Sequence, residues 1–212
     1  MGARRARAAG GGARLRVAQV LQRAPGTHLA CDDENVAYPL YEKARDLGIT
    51  VLQFHKGLPF GQQNVETARP NDLQKAARDF PDLQFVVHPL AVPYFPELLA
   101  IASRFPNIHL ALSANLCFAP IAPRLVQEQL GVLLQQVGSD RSIYGSEAGL
   151  AGSPRPYLEA FMELEIPEDL RRGYGFPQLT LEDKRKILGE NFARLLGIDL
   201  ETKKRELGLM AT

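Results

Sequence analysis

Ile49-Thr50-Val51-Leu52-Gln53-Phe54-His55 is a short, mostly apolar run that ends in a histidine and turns at once through Lys56-Gly57. Its length and its β-branched and aromatic content read as a buried strand. The same design recurs downstream. Leu83-Gln84-Phe85-Val86-Val87-His88 ends in a second histidine before Pro89, and Ser142-Ile143-Tyr144-Gly145-Ser146-Glu147 ends in a carboxylate. Ile108–Leu112, followed by Ser113, is a further strand, and Leu15–Leu21 reads equally as a strand or a helix. Helical patterns lie between these runs. Asp33 is placed to cap a helix over 34–47 with the apolar stripe Val36, Leu40, Tyr41, Ala44 and with Gly48 as its stop. Further helices are expected near 70–80, 95–105, 122–136, 155–163 and 181–196. Strand–helix alternation at a spacing of roughly 25 to 35 residues predicts a parallel α/β sheet with strands apolar on both faces. The C-terminal ends of such strands share one rim, where sites are built.

A chain of 212 residues is long enough for one sizeable core. With 25 Lys and Arg against 24 Asp and Glu, its charge balance gives no argument for a nucleic-acid or membrane partner. No run approaches the roughly 20 apolar residues that span a bilayer. Cys31 and Cys117 stand outside any CxxC spacing, which points to a reducing compartment, and a cytoplasmic location is expected. The organisation expected is a basic, acid-poor segment over 1–31, a globular unit over 32–199 and a charged tail over 200–212. Arg4, Arg5, Arg7, Arg14 and Arg16 lack interleaved aromatics, so the basic segment reads as a disordered tail before a nucleic-acid arm.

The chemistry-bearing residues follow from the rim. His55 and His88 are imidazoles suited to a metal ion or to proton transfer. Glu147 is a carboxylate able to bind a metal or to take a proton from a metal-bound water. Together they match a zinc donor set, with manganese as the alternative. Ser113 faces the same rim, and Lys56 is a cation within reach of an anionic substrate group. His109 begins its strand and belongs to the opposite rim, where a structural role is expected. The chain contains no His-x-His pair.

Several stretches resemble the amidohydrolase-related family, the metal-dependent barrel group that includes the aromatic-acid decarboxylases. They are Ala37-Tyr38-Pro39-Leu40-Tyr41-Glu42-Lys43-Ala44, Phe54-His55-Lys56-Gly57, Asp79-Phe80-Pro81-Asp82-Leu83 with His88, Tyr144-Gly145-Ser146-Glu147 and Lys186–Gly197. The similarity runs from about Asp32 to Asp199. It implies a (β/α)8 TIM-type barrel of which this chain carries about the last four β/α units, with the N-terminal strands missing. His55 would correspond to the metal ligand on the family's fifth strand. His88 would be the sixth-strand histidine that binds metal or acts on substrate and water. Glu147 stands where the family usually has an aspartate that binds metal and shuttles a proton, and it is one methylene longer. The family's first-strand His-x-His or Glu-x-His ligands have no counterpart in the first 31 residues. The chain is then expected to be a truncated gene, a misassigned start, or a half-barrel of which two copies cover each other's open sheet. The activity implied is metal-dependent hydrolysis or decarboxylation of a small, carboxylated or cyclic substrate. The alternative is a non-catalytic, amidohydrolase-like binding subunit.

Overall fold

The structure is a computed structural model, and it describes residues 17–20, 30–59 and 64–209. The arginines of the basic segment and His28 lie outside the described residues.

Five parallel strands form one open sheet in the order β1-β2-β3-β4-β5. They are β1 (Val17–Val20), β2 (Val51–His55), β3 (Gln84–His88), β4 (Ile108–Ala111) and β5 (Ser142–Ile143). The crossovers are α1 (Ala37–Asp46), α2 (Leu73–Asp79), α3 (Phe95–Ala102) and α4 (Pro123–Gln136). Beyond β5 the chain forms α5 (Ala148–Ala151), α6 (Arg155–Glu163), α7 (Glu168–Tyr174), α8 (Leu181–Arg185), α9 (Asn191–Leu195) and α10 (Leu200–Glu206). The segment between α8 and α9, Lys186–Glu190, is a π-turn. The α/β partial barrel expected from the sequence is therefore present. Within the Leu15–Leu21 stretch the described residues, Val17–Val20, are a strand, so part of the basic segment belongs to the sheet.

The two sheet faces differ. On the outer face Leu52, Phe54, Phe85, Val87 and Leu110 meet the crossover helices in the main core. Tyr41 is its keystone, edge-on to Phe80 at 5.2 Å and to Phe85 at 5.8 Å between ring centroids. Its hydroxyl donates to the Cys31 carbonyl at 2.8 Å, so its one polar atom is satisfied. Burying a ring of this size is worth about 1.5–3 kcal/mol. The inner face is mixed in polarity, not apolar throughout as the sequence suggests. Val51, Val86, Ala111 and Ile143 form a small second cluster there, joined by Phe192 and Leu195 of α9 and by Leu196 at its end. Gln53, Gln84 and His109 share that face by strand alternation. His109 Nε2–H donates to Gln84 Oε1 at 2.9 Å.

The outer edge of β5 is closed by helix, not by strand. Tyr144 N–H donates to the Ile187 carbonyl in the π-turn at 2.8 Å. The Asn191 side chain donates to the Ser139 and Ser142 carbonyls, both at 2.7 Å. These backbone groups point away from β4, and pairing them with a helix protects an edge that would otherwise invite another strand. Among the described residues no helix is long and apolar enough to cross a membrane.

Candidate functional site

The strand ends form the rim that the sequence predicts, and they do so under strain. Leu58 after β2, Leu90 and Ala91 after β3, Ala114 after β4 and Glu147 after β5 all have positive φ, between 39° and 59°. These are the described non-glycine residues with such backbone, and every one lies just past a strand's C-terminal end. Each costs on the order of 1–3 kcal/mol, and clusters of this kind mark sites where geometry is imposed on the chain.

His55 and His88 are register partners on neighbouring strands. Their rings stand perpendicular with centroids 5.7 Å apart. His55 Nε2–H donates to the Gly57 carbonyl at 2.8 Å, which turns that nitrogen back into its own loop. Gly57 has no room for a side chain, because a Cβ there would lie 2.4 Å from the Ala91 carbonyl carbon. The two rim turns are thus locked together: Lys56 N–H donates to the His88 carbonyl and Leu58 N–H to the Val92 carbonyl, at 2.8 and 2.7 Å.

Lys56 follows His55 and therefore points to the opposite face. It is 1% exposed, and its ammonium is 2.6 Å from Asp72 Oδ2. The same carboxylate oxygen accepts the Cys31 N–H at 2.8 Å. Lys56 is an internal ion pair linking β2, the turn before α2 and the segment before α1; its charge is turned away from the rim cavity. Asp72 carries no sequence signal of that role, since the pairing depends on the fold of the loop between them.

The other rim residues open on a cavity of about 360 Å³. Val86, Ala111 and Ile143 form its floor, Phe192 one wall, and His88, Ser113 and Glu147 its polar border. Gln53 supplies an amide from β2. Ser113 is 5% exposed, and its Oγ has no hydrogen-bond partner among the described residues. Gly145 makes room for it, because a Cβ at that position would sit 2.6 Å from Ser113 Cβ. Burial pushes the Tyr144 hydroxyl above its ordinary range, and the Cys117 thiol is raised by burial and by the nearby Glu147. Cys117 is accordingly a poor thiolate nucleophile. The sequence singled out His88, Ser113 and Glu147, which the structure brings to one cavity, and His55 and Lys56, which do not line it. It missed Gln53 and Phe192, whose membership depends on strand alternation and on where α9 lands.

The family model described as Amidohydrolase matches residues 2–198. The chain belongs to the amidohydrolase family. Its match begins in the basic segment, ahead of the Asp32 start suggested by the motifs. An uncharacterized TIM-barrel protein from Bordetella bronchiseptica is similar in structure, with 26% identity and a TM-score of 0.58 over 80% of this chain and 52% of that one. A uronate isomerase from Bacillus halodurans C-125 is 16% identical, with a TM-score of 0.58 over 89% of this chain and 48% of that one. The chain thus spans about half the length of the two solved proteins it matches, and its five described strands form an open sheet. No curated protein matches it. Amidohydrolases are generally metal-dependent. The donors here fit a metal only in part. Among the described residues no three His, Cys, Asp or Glu side chains are grouped to hold an ion, and Glu147 shares the cavity with His88 but not with His55.

Proposed function

We propose that this amidohydrolase-family chain binds a small substrate in the rim cavity and acts on it as a hydrolase or lyase, with Glu147 and His88 as its acid–base and orienting groups. The observation that carries this reading is the cavity itself. It lies at the C-terminal ends of β3, β4 and β5 and joins an apolar floor to a few convergent polar groups. Its volume lies in the ordinary range for small-molecule sites. In hydrolysis Glu147 takes the proton of the attacking water and returns it to the leaving group; in a lyase reaction its acid form delivers a proton to carbon. His88 borders the cavity across the floor from Glu147 and orients the reacting group, and Ser113 Oγ holds a polar atom of the substrate. A metal bound at the family's position would polarise the substrate or activate water. Among the described residues the donor set for it does not assemble, and the proton transfers fall to Glu147 and the positioning to His88 and Ser113.

That mismatch favours a second reading, in which the chain is a binding subunit that keeps the cavity without turnover. Metal analysis of the purified protein separates the two. Stoichiometric zinc or manganese, lost in both His55→Ala and Glu147→Ala, supports the enzyme and a rearranged His55. A folded, metal-free protein that still takes ligands in the cavity supports the binding subunit. The chain is further proposed to work in the cytoplasm on a small molecule and to associate with itself, with a second copy covering the open sheet. Sedimentation across a concentration series tests the self-association.

A further inference from the structure

The charge and shape of the cavity narrow its ligand, an inference that rests on the cavity being the substrate site. Ala111 and Ile143 are register partners on β4 and β5, and Val86 lies on β3 one inner-face step below their level, opposite His109. Strands lie about 4.8 Å apart, so these three residues, which cluster together, make an apolar floor about 10 Å across. All three are buried, and Gly145 beside Ile143 adds no side chain. A planar ring lies on such a floor better than a bulky or branched group does. Ser113 Oγ, buried and without a partner among the described residues, faces that space and needs a hydrogen bond to compensate its desolvation.

Charge decides the rest. Glu147 is the one formally charged side chain lining the cavity among the described residues. The nearby cation that the sequence offers for an anionic substrate, Lys56, is consumed by Asp72 at 2.6 Å. Arg69 is likewise engaged, by Glu66 at 3.3 Å and Glu97 at 3.8 Å. A carboxylate brought into this cavity would meet Glu147 with no positively charged side chain in the lining among the described residues to offset the repulsion, and like charges at close range in a partly desolvated site disfavour binding strongly.

We infer that the cavity binds a small flat ring carrying an amide, carbonyl, hydroxyl or cationic nitrogen group, and discriminates against the carboxylate of the same ring. The ring lies over Val86 and Ala111 against Phe192. Its polar group meets Ser113 Oγ, and Glu147 accepts a hydrogen bond from an N–H or O–H of the ligand. Of the two reactions open to the site, hydrolysis of an uncharged cyclic substrate then suits the chain better than decarboxylation, which has to hold a carboxylate.

Benzamide, benzamidine and benzoate form a matched series of one ring and three charges. Their affinities for the whole chain are measured by ligand-observed NMR at pH 8, where an ordinary imidazole is neutral. Benzamide and benzamidine are expected to bind at least tenfold more tightly than benzoate. Glu147→Gln is expected to bring benzamidine and benzoate within about threefold of each other. Ser113→Ala is expected to weaken benzamide about fivefold, the equivalent of one hydrogen bond, with unfolding curves confirming that both variants fold. Benzoate binding as tightly as benzamide to the unaltered chain, or a preference that survives Glu147→Gln, overturns the inference and leaves the cavity as a ligand site. Binding by none of the three overturns the proposed function and this inference together.

Discussion

The end of β2 and the ends of β4 and β5 are built from the same ingredients and are used differently. Both present polar residues on a strained rim, but at β2 those residues are spent internally. His55 bonds to the Gly57 carbonyl, and Lys56 is buried against Asp72. At β4 and β5 the equivalent positions stay open, with Ser113 and Glu147 bordering a cavity. A polar side chain at a strand end thus becomes a binding group only if its face of the sheet is left without a neighbour. Lys56 lies on the outer face, where the turn before α2 supplies Asp72. Ser113 lies on the inner face, where glycine stands beside it. The β2 end is therefore read as the brace of the rim and the β4–β5 end as its mouth.

The largest effect that would break this contrast is loss of the brace. Asp72→Ala leaves the Lys56 ammonium buried and unpaired and is expected to cost about 3–5 kcal/mol, read as a shift of the urea midpoint. Replacing both partners, as in Lys56→Met with Asp72→Leu, is expected to recover most of that loss while ligand binding at the mouth persists. Recovery of stability with loss of binding would move Lys56 into the site.

Acid should weaken the floor of the inner face next. Burial, with Arg141 and Arg194 nearby, holds the His109 imidazole down to about 4. Above pH 6.5 neither folded nor unfolded chain protonates it, and its neutral form is fully tolerated. Between pH 6.5 and 4 the unfolded chain takes the proton and the folded one does not, so stability falls as pH falls; below 4 this contribution levels off. The loss is about 3 kcal/mol for a shift of this size. His109→Gln is expected to flatten that part of the stability–pH curve, and a curve unchanged by the substitution would contradict the buried neutral imidazole.

Gly145→Ala tests the mouth. Its Cβ would stand 2.6 Å from Ser113 Cβ, so a cost of about 1–3 kcal/mol for overpacking is expected. Ligand binding should weaken with it, because Ser113 must move. Unchanged affinity in a destabilised variant would remove Ser113 from the binding group. An effect of similar size concerns the β5 edge. Asn191→Ala removes two side-chain hydrogen bonds, one to the Ser142 carbonyl in β5 and one to the Ser139 carbonyl just before it, and is expected to cost about 1–3 kcal/mol. It should also raise association at high protein concentration, measured by light scattering.

Much of this was legible in the sequence, for reasons that also explain what was not. Runs such as Ile49–His55 and Leu83–His88 are apolar enough that burial on a parallel sheet follows directly, and Gly48 ends α1 with φ +71° as a helix stop should. Asp33 does not cap the α-helix, which begins at Ala37 after Val36; its side chain accepts the Asn35 and Val36 N–H groups in the turn just ahead. Leu15–Leu21 stayed ambiguous because a strand of four residues leaves no periodicity to read. The outward turn of Lys56 follows from alternation once His55 is placed on the inner face. Asp72 as its partner does not, because that contact is made by a loop. The π-turn at Lys186–Glu190 left no local signal either; its reason is the β5 backbone it serves, not its own residues.

The most direct test of brace against mouth is an amide chemical-shift map of the ¹⁵N-labelled chain titrated with benzamide. Perturbations centred on Ser113, Gly145, Glu147 and Phe192, with His55 to Gly57 little changed, are the predicted result. Perturbations centred on His55 and Lys56, with Ser113 and Glu147 silent, would contradict it.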